Sequence, residues 1–253
     1  MAIALTEMQQ HLDECLTPER FQDYCPNGLQ VEGRSRVVRL ATGVTASQAL
    51  IDEAIDWSAD AILVHHGYFW RDESPLVIGM KRRRLGALLG NDISLLVYHL
   101  PLDAHPQLGN NVCFGRLMGV SEQQLLTGDS GDGLARIGSL PEAINGASMV
   151  ERLAQLTGRE PLYIGSENKL VRTVAWCTGA AQGYIDTAAA AGADMYITGE
   201  ASEQTAHMAR ELGIQFIAAG HHATERYGVQ AVGQHLAARF DIEHRYIDID
   251  NPV

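Results

Sequence analysis

Short apolar runs alternate with amphipathic stretches of helical spacing along most of this chain, and that alternation restricts the fold to βα units built on parallel strands. In the first half the runs at 37–41, 61–65 and 93–98 predict strands, and 47–57 and 81–89 predict helices between them. A helix is expected over 6–16, where Thr6 and Gln9 stand at capping-box spacing and Met8, Leu12, Cys15 and Leu16 share a face. The turn formers of 25–33 predict a loop. In the second half, strands are expected at 135–140, 171–177, 195–198, 215–218 and 244–249, and helices at 148–156, 182–191, 201–212 and 224–240.

A chain of 253 residues suits one large domain or two small ones, and the halves read as diverged copies of one α/β unit. Thr42-Gly43, Ile51-Asp52 and Ala59-Asp60 recur in order as Thr178-Gly179, Ile185-Asp186 and Ala193-Asp194. Farther on, His99 and Asp103 recur as His221 and Glu225, each a histidine four residues before a carboxylate. The stretch 126–133, with three glycines, two aspartates and a serine, is the expected linker. The expected domains are therefore 1–127 and 128–253, with the C-terminal helix and strand free to pack back on the first.

No apolar run approaches the roughly 18 to 20 residues that span a bilayer, and Met1 to Gln10 lacks a basic stretch followed by an apolar one, so a cytoplasmic location without membrane contact is expected. Cys15, Cys25, Cys113 and Cys177 form no C-x-x-C pair and read as reduced thiols. With 19 basic and 31 acidic residues the net charge is −12, which repels a phosphate backbone and argues against duplex nucleic acid as a partner. A small anion remains an allowed substrate where metals or a local basic cluster attract it.

Residues that bind metals gather at predicted strand ends, where open parallel sheets place their ligands. The run Ala61-Ile-Leu-Val ends in His65, His66 and Gly67. Neighbours on a strand face opposite ways, so both imidazoles reach one site only where the chain bends, which Gly67 permits. Tyr98-His-Leu-Pro-Leu-Asp103 sets Asp103 in a loop past the next strand, flanked by Pro101 and Pro106. In Gly220-His-His-Ala-Thr-Glu225, His221 and Glu225 stand four apart where a helix starts and share a face. Neutral imidazoles with carboxylates suit iron, zinc, manganese or nickel.

Each group also has an ordinary reading: a hydrogen-bonded histidine pair, a turn-forming aspartate, an intrahelical ion pair. Three such groups at three equivalent strand ends favour a site. His99 is read as an acid/base or supporting group, and His105 and His222 as structural. Glu200, which matches His66 in the repeat, lies either near the cleft or on the surface. His11, His207, His235 and His244 read as solvated or held within helices. Lys81-Arg-Arg-Arg84 reads as a solvated helix face, with a phosphate contact as the alternative.

Pro26-Asn-Gly-Leu-Gln-Val-Glu-Gly33, Gly43-Val-Thr-Ala-Ser47, Val64-His-His-Gly67, His99-Leu-Pro-Leu-Asp103 and Gly220-His-His-Ala-Thr-Glu225 resemble the YbgI-type members of the Nif-three-like family, often labelled GTP cyclohydrolase type 2 homologues. The resemblance runs along essentially the whole chain. It implies two similar α/β domains with a dinuclear metal site in the cleft between them, and a homo-oligomer, a ring-shaped hexamer. It also implies that His65, Asp103 and Glu225 hold one divalent ion and His66, His221 and Glu225 the other, with Glu225 bridging. The expected activity is metal-dependent hydrolysis of a nucleotide or related small anion, with His99 and Glu225 as the catalytic groups. The alternative is a non-enzymatic protein of metal storage, metal delivery or scaffolding. The chain carries no P-loop, no G-x-G-x-x-G and no nucleophile elbow.

Overall fold

The structure, a computed structural model, describes residues 2–126, 128 and 133–253. It divides into two compact units: Met1–Leu108 with Gly228–Asp250, and Gly109–Tyr227 with Asn251–Val253. Of the expected linker, residues 127 and 129–132 lie outside the described residues, and with them the expected boundary at 127.

The first unit runs β1 (Ile3–Ala4), α1 (Leu5–Leu16), β2 (Gly28–Val31), β3 (Arg36–Val37), β4 (Arg39–Thr45), α2 (Gln48–Asp56), β5 (Ala61–His66), α3 (Gly79–Gly90), β6 (Ser94–Val97) and α4 (Leu100–Ala104). Its main sheet has the order β13-β4-β5-β6-β2, where β13 is Glu243–Tyr246 near the C-terminus. The inner strands are parallel and β2 is antiparallel to β6. Alternation along β5 divides the core, because successive side chains of a strand leave by opposite faces. Ile62 and Val64 join Leu50, Ile51 and Ala54 of α2 and Leu85 and Leu88 of α3, whereas Ala61 and Leu63 join Met8 and Leu12 of α1 with Val229, Val232 and Leu236. Those last three belong to α10 (Arg226–Phe240).

The second unit contains α5 (Asn110–Leu117), β7 (Ser121–Leu125), β8 (Arg136–Asn145), α6 (Gly146–Thr157), β9 (Leu162–Ile164), β10 (Leu170–Trp176), α7 (Ile185–Ala190), β11 (Met195–Thr198), α8 (Glu203–Leu212), β12 (Gln215–Ala218) and α9 (His221–Thr224). Its sheet order is β7-β8-β10-β11-β12-β9. Strands β10, β11 and β12 are parallel, with antiparallel strands on both flanks. Asn145 caps α6 by accepting from the Ser148 N–H at 2.8 Å, and Ser202 with Thr205 forms a capping box on α8.

Several expectations need correction. The sheets are mixed rather than wholly parallel, since antiparallel strands flank the parallel ones: β2 in the first sheet, and β8 and β9 in the second. One of them, β2, lies inside the expected loop 25–33, because Leu29 and Val31 bring enough backbone to β6 despite the flanking glycines. Asp103 sits in a short helix, not a loop: Pro101 falls in its first turn, where a missing N–H costs nothing. The helix expected over 224–240 is broken at Glu225, which ends α9 before α10 begins. Helix α1 starts at Leu5 without a side-chain cap, so Thr6 and Gln9 lie inside it.

Candidate metal centre

His65 is the last inward residue of β5 before His66 ends the strand, and it is fully buried. Its Nδ1 lies 3.1 Å from the Tyr98 carbonyl oxygen. A carbonyl can only accept, so Nδ1 carries the proton and Nε2 is left with its lone pair. That lone pair faces the buried Asp103, whose Oδ2 is 3.5 Å away. A carbonyl fixing the tautomer of an imidazole whose other nitrogen meets a carboxylate is the usual support of a metal-binding histidine.

His66 ends the strand, paired with Thr45, and its ring centroid lies 4.5 Å from that of His65 with the ring planes tilted by 40°. Gly67 serves this arrangement by size. A Cβ there would lie 2.3 Å from Val97 Cγ2 and 2.5 Å from Gln30 Oε1, so the close approach of β6 and β2 requires glycine, and no bend at a positive φ is involved. Thr45 Oγ1 is 3.2 Å from His66 Nδ1 and restrains the ring.

His99 joins these two, and ligand atoms of His65, His66 and His99 all lie within 4.8 Å of one another. Its Nδ1 is 2.7 Å from Asp23 Oδ1, while its backbone N–H donates to Asn27 Oδ1 at 2.7 Å. The other oxygen of Asp23 accepts from the Leu100 N–H and the Asn27 amide, both at 2.9 Å. Burial alone would raise the Asp23 pKa, but His99, Asn27 and Leu100 together hold it below the usual carboxylate range. Asp23 and Asn27 escaped the sequence reading, since their partner is more than seventy residues away. Their one signal was the i, i+4 spacing beside Pro26-Asn27-Gly28.

In the second unit His221 begins α9 and Glu225 ends it, with His221 Nε2 3.2 Å from Glu225 Oε2. Its Nδ1 lies 2.7 Å from Glu200 Oε1, which puts Glu200 against the site rather than on an unrelated surface. Burial would depress this imidazole, but hydrogen bonds and charge from Glu225 and then Glu200 outweigh it and raise its pKa to about 9. Gly179 makes room for the pair: at φ +74 it disfavours any side chain, and its Cβ would stand 2.2 Å from Glu225 Oε1. Thr224 Oγ1 accepts from the Gly179 N–H at 3.1 Å and ties this turn to α9.

The remaining histidines have local roles. His105 Nδ1 accepts from the Leu108 N–H at 2.9 Å, and the His222 N–H donates to the Val253 carbonyl at 3.0 Å. His11 stacks on His235 with their Nε2 atoms 2.9 Å apart, a helix-to-helix contact that sequence spacing could not reveal. His207 pairs with Glu203 on an exposed helix, and His244 is 2.9 Å from Thr42 Oγ1. Lys81 is buried, 3.2 Å from Glu73 and over the Phe69 ring, so the basic run is only partly a solvated face. None of the four cysteines is in a disulfide, and burial pushes the Cys25 thiol up to about 12.

Buried carboxylates with histidines of fixed tautomer, at the carboxyl ends of parallel strands in mixed α/β sheets, define the class as an α/β protein with candidate metal-binding His/Asp/Glu clusters. The chain belongs to the Duf34/NIF3 (NGG1p interacting factor 3) family, whose model matches residues 3–252. It is 57% identical over 252 residues to a protein of Pseudomonas aeruginosa named GTP cyclohydrolase 1 type 2 homolog, covering 100% of both chains. It is 50% identical to the protein of that name in Escherichia coli K12, covering 98% of each. The solved structure titled "Structural genomics, protein ybgI, unknown function" aligns with a TM-score of 0.94 at 48% identity, covering 99% of this chain and 100% of that one. No helix among the described residues is long and apolar enough to cross a membrane.

Proposed function

We propose that the protein holds two divalent metal ions, His65, Asp103 and Glu225 on one and His66, His221 and Glu225 on the other, and that it is a metal-dependent hydrolase of a nucleotide or related small anion. The observation that carries this reading is the His65 pair of contacts. With Nδ1–H committed to the Tyr98 carbonyl, only Nε2 remains to bind, and it meets Asp103 in a buried site. The donor set fits the group: neutral imidazoles and carboxylates suit a borderline divalent ion. The repeat supports it too. Strands β2-β4-β5-β6 and β9-β10-β11-β12 share one connectivity, with the first of each set antiparallel to the last.

When bound, a pair of divalent ions supplies Lewis acidity and a nucleophilic water near neutral pH. The chain's own residues do the rest. Asp23 holds the proton of His99 on Nδ1 and leaves Nε2 to take or give a proton beside His65 and His66. Trp70 packs edge-to-face with His99, their ring centroids 5.1 Å apart.

The family resemblance also leads us to propose a ring-shaped homohexamer. Its support here is an exposed apolar segment, Leu76-Val-Ile78 with Met80, of the kind that marks an interface.

Elemental analysis of the purified protein, followed by a nucleotide, phosphoester and cyclic-amide panel with the metal found, tests the function. Wild type is expected to carry a transition metal and turn over at least one substrate, and Glu225→Ala to lose both. Folded wild type that takes up no transition metal, or turnover unchanged in Glu225→Ala, defeats the reading. Rapid metal exchange with transfer to an apo-acceptor, in the absence of turnover, favours the metal-delivery alternative.

A further inference from the structure

Beside His221, within the second unit, lies a cavity of about 610 Å³, a volume typical of small-molecule sites. Its walls include Pro161, Leu162, Ala218 and Val253, and its polar groups include Arg159 and Glu200. Glu200 is the residue whose Oε1 receives the His221 Nδ1 at 2.7 Å, so the cavity adjoins a proposed metal ligand.

Arg159 is the unusual member. Its guanidinium lies against the turn that presents His221: a Cβ on Gly220 would stand 2.5 Å from Nη1 and 2.8 Å from Cδ. Gly220, at φ +102, is therefore glycine on two counts, a backbone conformation that side chains disfavour and a space that Arg159 already fills. Nη1 is buried and has no hydrogen-bond partner among the described residues. A guanidinium does not lose its charge at any ordinary pH, and a buried N–H left unsatisfied is destabilising. Glu160 and Glu200 also line the cavity, yet neither forms an ion pair with Arg159, and Glu200 is engaged by His221. A fixed cation with an unpartnered donor nitrogen, in a cavity whose walls mix apolar side chains with Glu160 and Glu200, is suited to an oxyanion, which a guanidinium grips in a planar, two-bond contact.

We propose that this cavity binds the substrate and that Arg159 holds its oxyanion group, a phosphate or a carboxylate, directing the rest of the molecule toward His221. The inference rests on the hydrolase reading for what happens to that molecule, but the oxyanion contact stands on Arg159 alone.

The test is calorimetric titration of the full-length protein after EDTA treatment, with inorganic phosphate and succinate as separate probes. Removing metal leaves Arg159 as the contact under test. Wild type is expected to bind at least one probe, Arg159→Gln to bind it at least about tenfold more weakly, and Arg159→Lys to fall between. The probe bound more tightly identifies the oxyanion as phosphate or carboxylate. The melting temperature and metal content of Arg159→Gln are expected to match wild type, which separates a lost contact from a lost fold. Binding by Arg159→Gln within about twofold of wild type, or no binding of either probe by wild type, overturns the proposal. Failure of the metal reading shows itself separately, as wild type that takes up no metal.

Discussion

His221 stands between two carboxylates, with Glu225 at Nε2 and Glu200 at Nδ1. In the metal-free protein it is therefore a cation at neutral pH, with a pKa raised to about 9 although burial opposes the charge. The sign of the linkage follows. Because the folded value lies above the unfolded one near 6.5, this contact stabilises fully below about pH 6.5 and is lost as pH rises through 9. An NMR titration of metal-free protein should show the His221 ring losing its proton near pH 9, and Glu200→Gln should lower that midpoint. A midpoint near 6.5 in wild type contradicts the geometry. At this scale much was legible: His65, His66, His99, Asp103, His221 and Glu225 were marked by their place at strand ends. Asp23 and Thr45, which orient His99 and His66, were not, because a carboxylate or hydroxyl in a loop or strand has no distinguishing pattern until its partner is known.

Helix α10 and strand β13 meet through a glycine. A Cβ on Gly233 would stand 2.1 Å from His244 Nε2, so the imidazole occupies the place of a side chain on the helix. Gly233→Ala is expected to destabilise the protein by about 1 to 3 kcal/mol, the usual cost of overpacking. Adding His244→Ala should recover part of that loss, and urea denaturation of the two singles and the double reads the coupling. Purely additive losses would show that the clash is relieved elsewhere. Elements with strong periodicity matched the sequence closely; 195–198 and 215–218 are β11 and β12 residue for residue. Elements set by pairing did not. Strands β2 and β9 are short edge strands whose hydrogen bonds come from distant neighbours, and β7 is a short, mostly exposed edge strand paired with the next strand, so their own residues carry little signal.

For the whole molecule, the formal charge of −12 keeps copies apart at long range, while the exposed segment around Ile78 offers apolar area for short-range association. Leu76 and Ile78 are 61% and 66% exposed, high enough that a lysine at Ile78 leaves the monomer's core untouched. If the proposed assembly uses this segment, Ile78→Lys should lower the mass seen by light scattering without changing the melting of the subunit by more than about 0.5 kcal/mol. An unchanged mass moves the interface elsewhere.

The sequence by itself determined the alternation of strand and helix, the strand ends that carry histidine and carboxylate, and the absence of a nucleotide-binding glycine loop, since periodicity and local turn chemistry are properties of neighbouring residues. Only the tertiary structure decided which nitrogen of His65 faces Asp103, which glycines yield space to other side chains, and that Arg159 lies beside the turn that presents His221. Those outcomes depend on contacts between residues far apart in the chain, whose distances are set by packing rather than by any local preference.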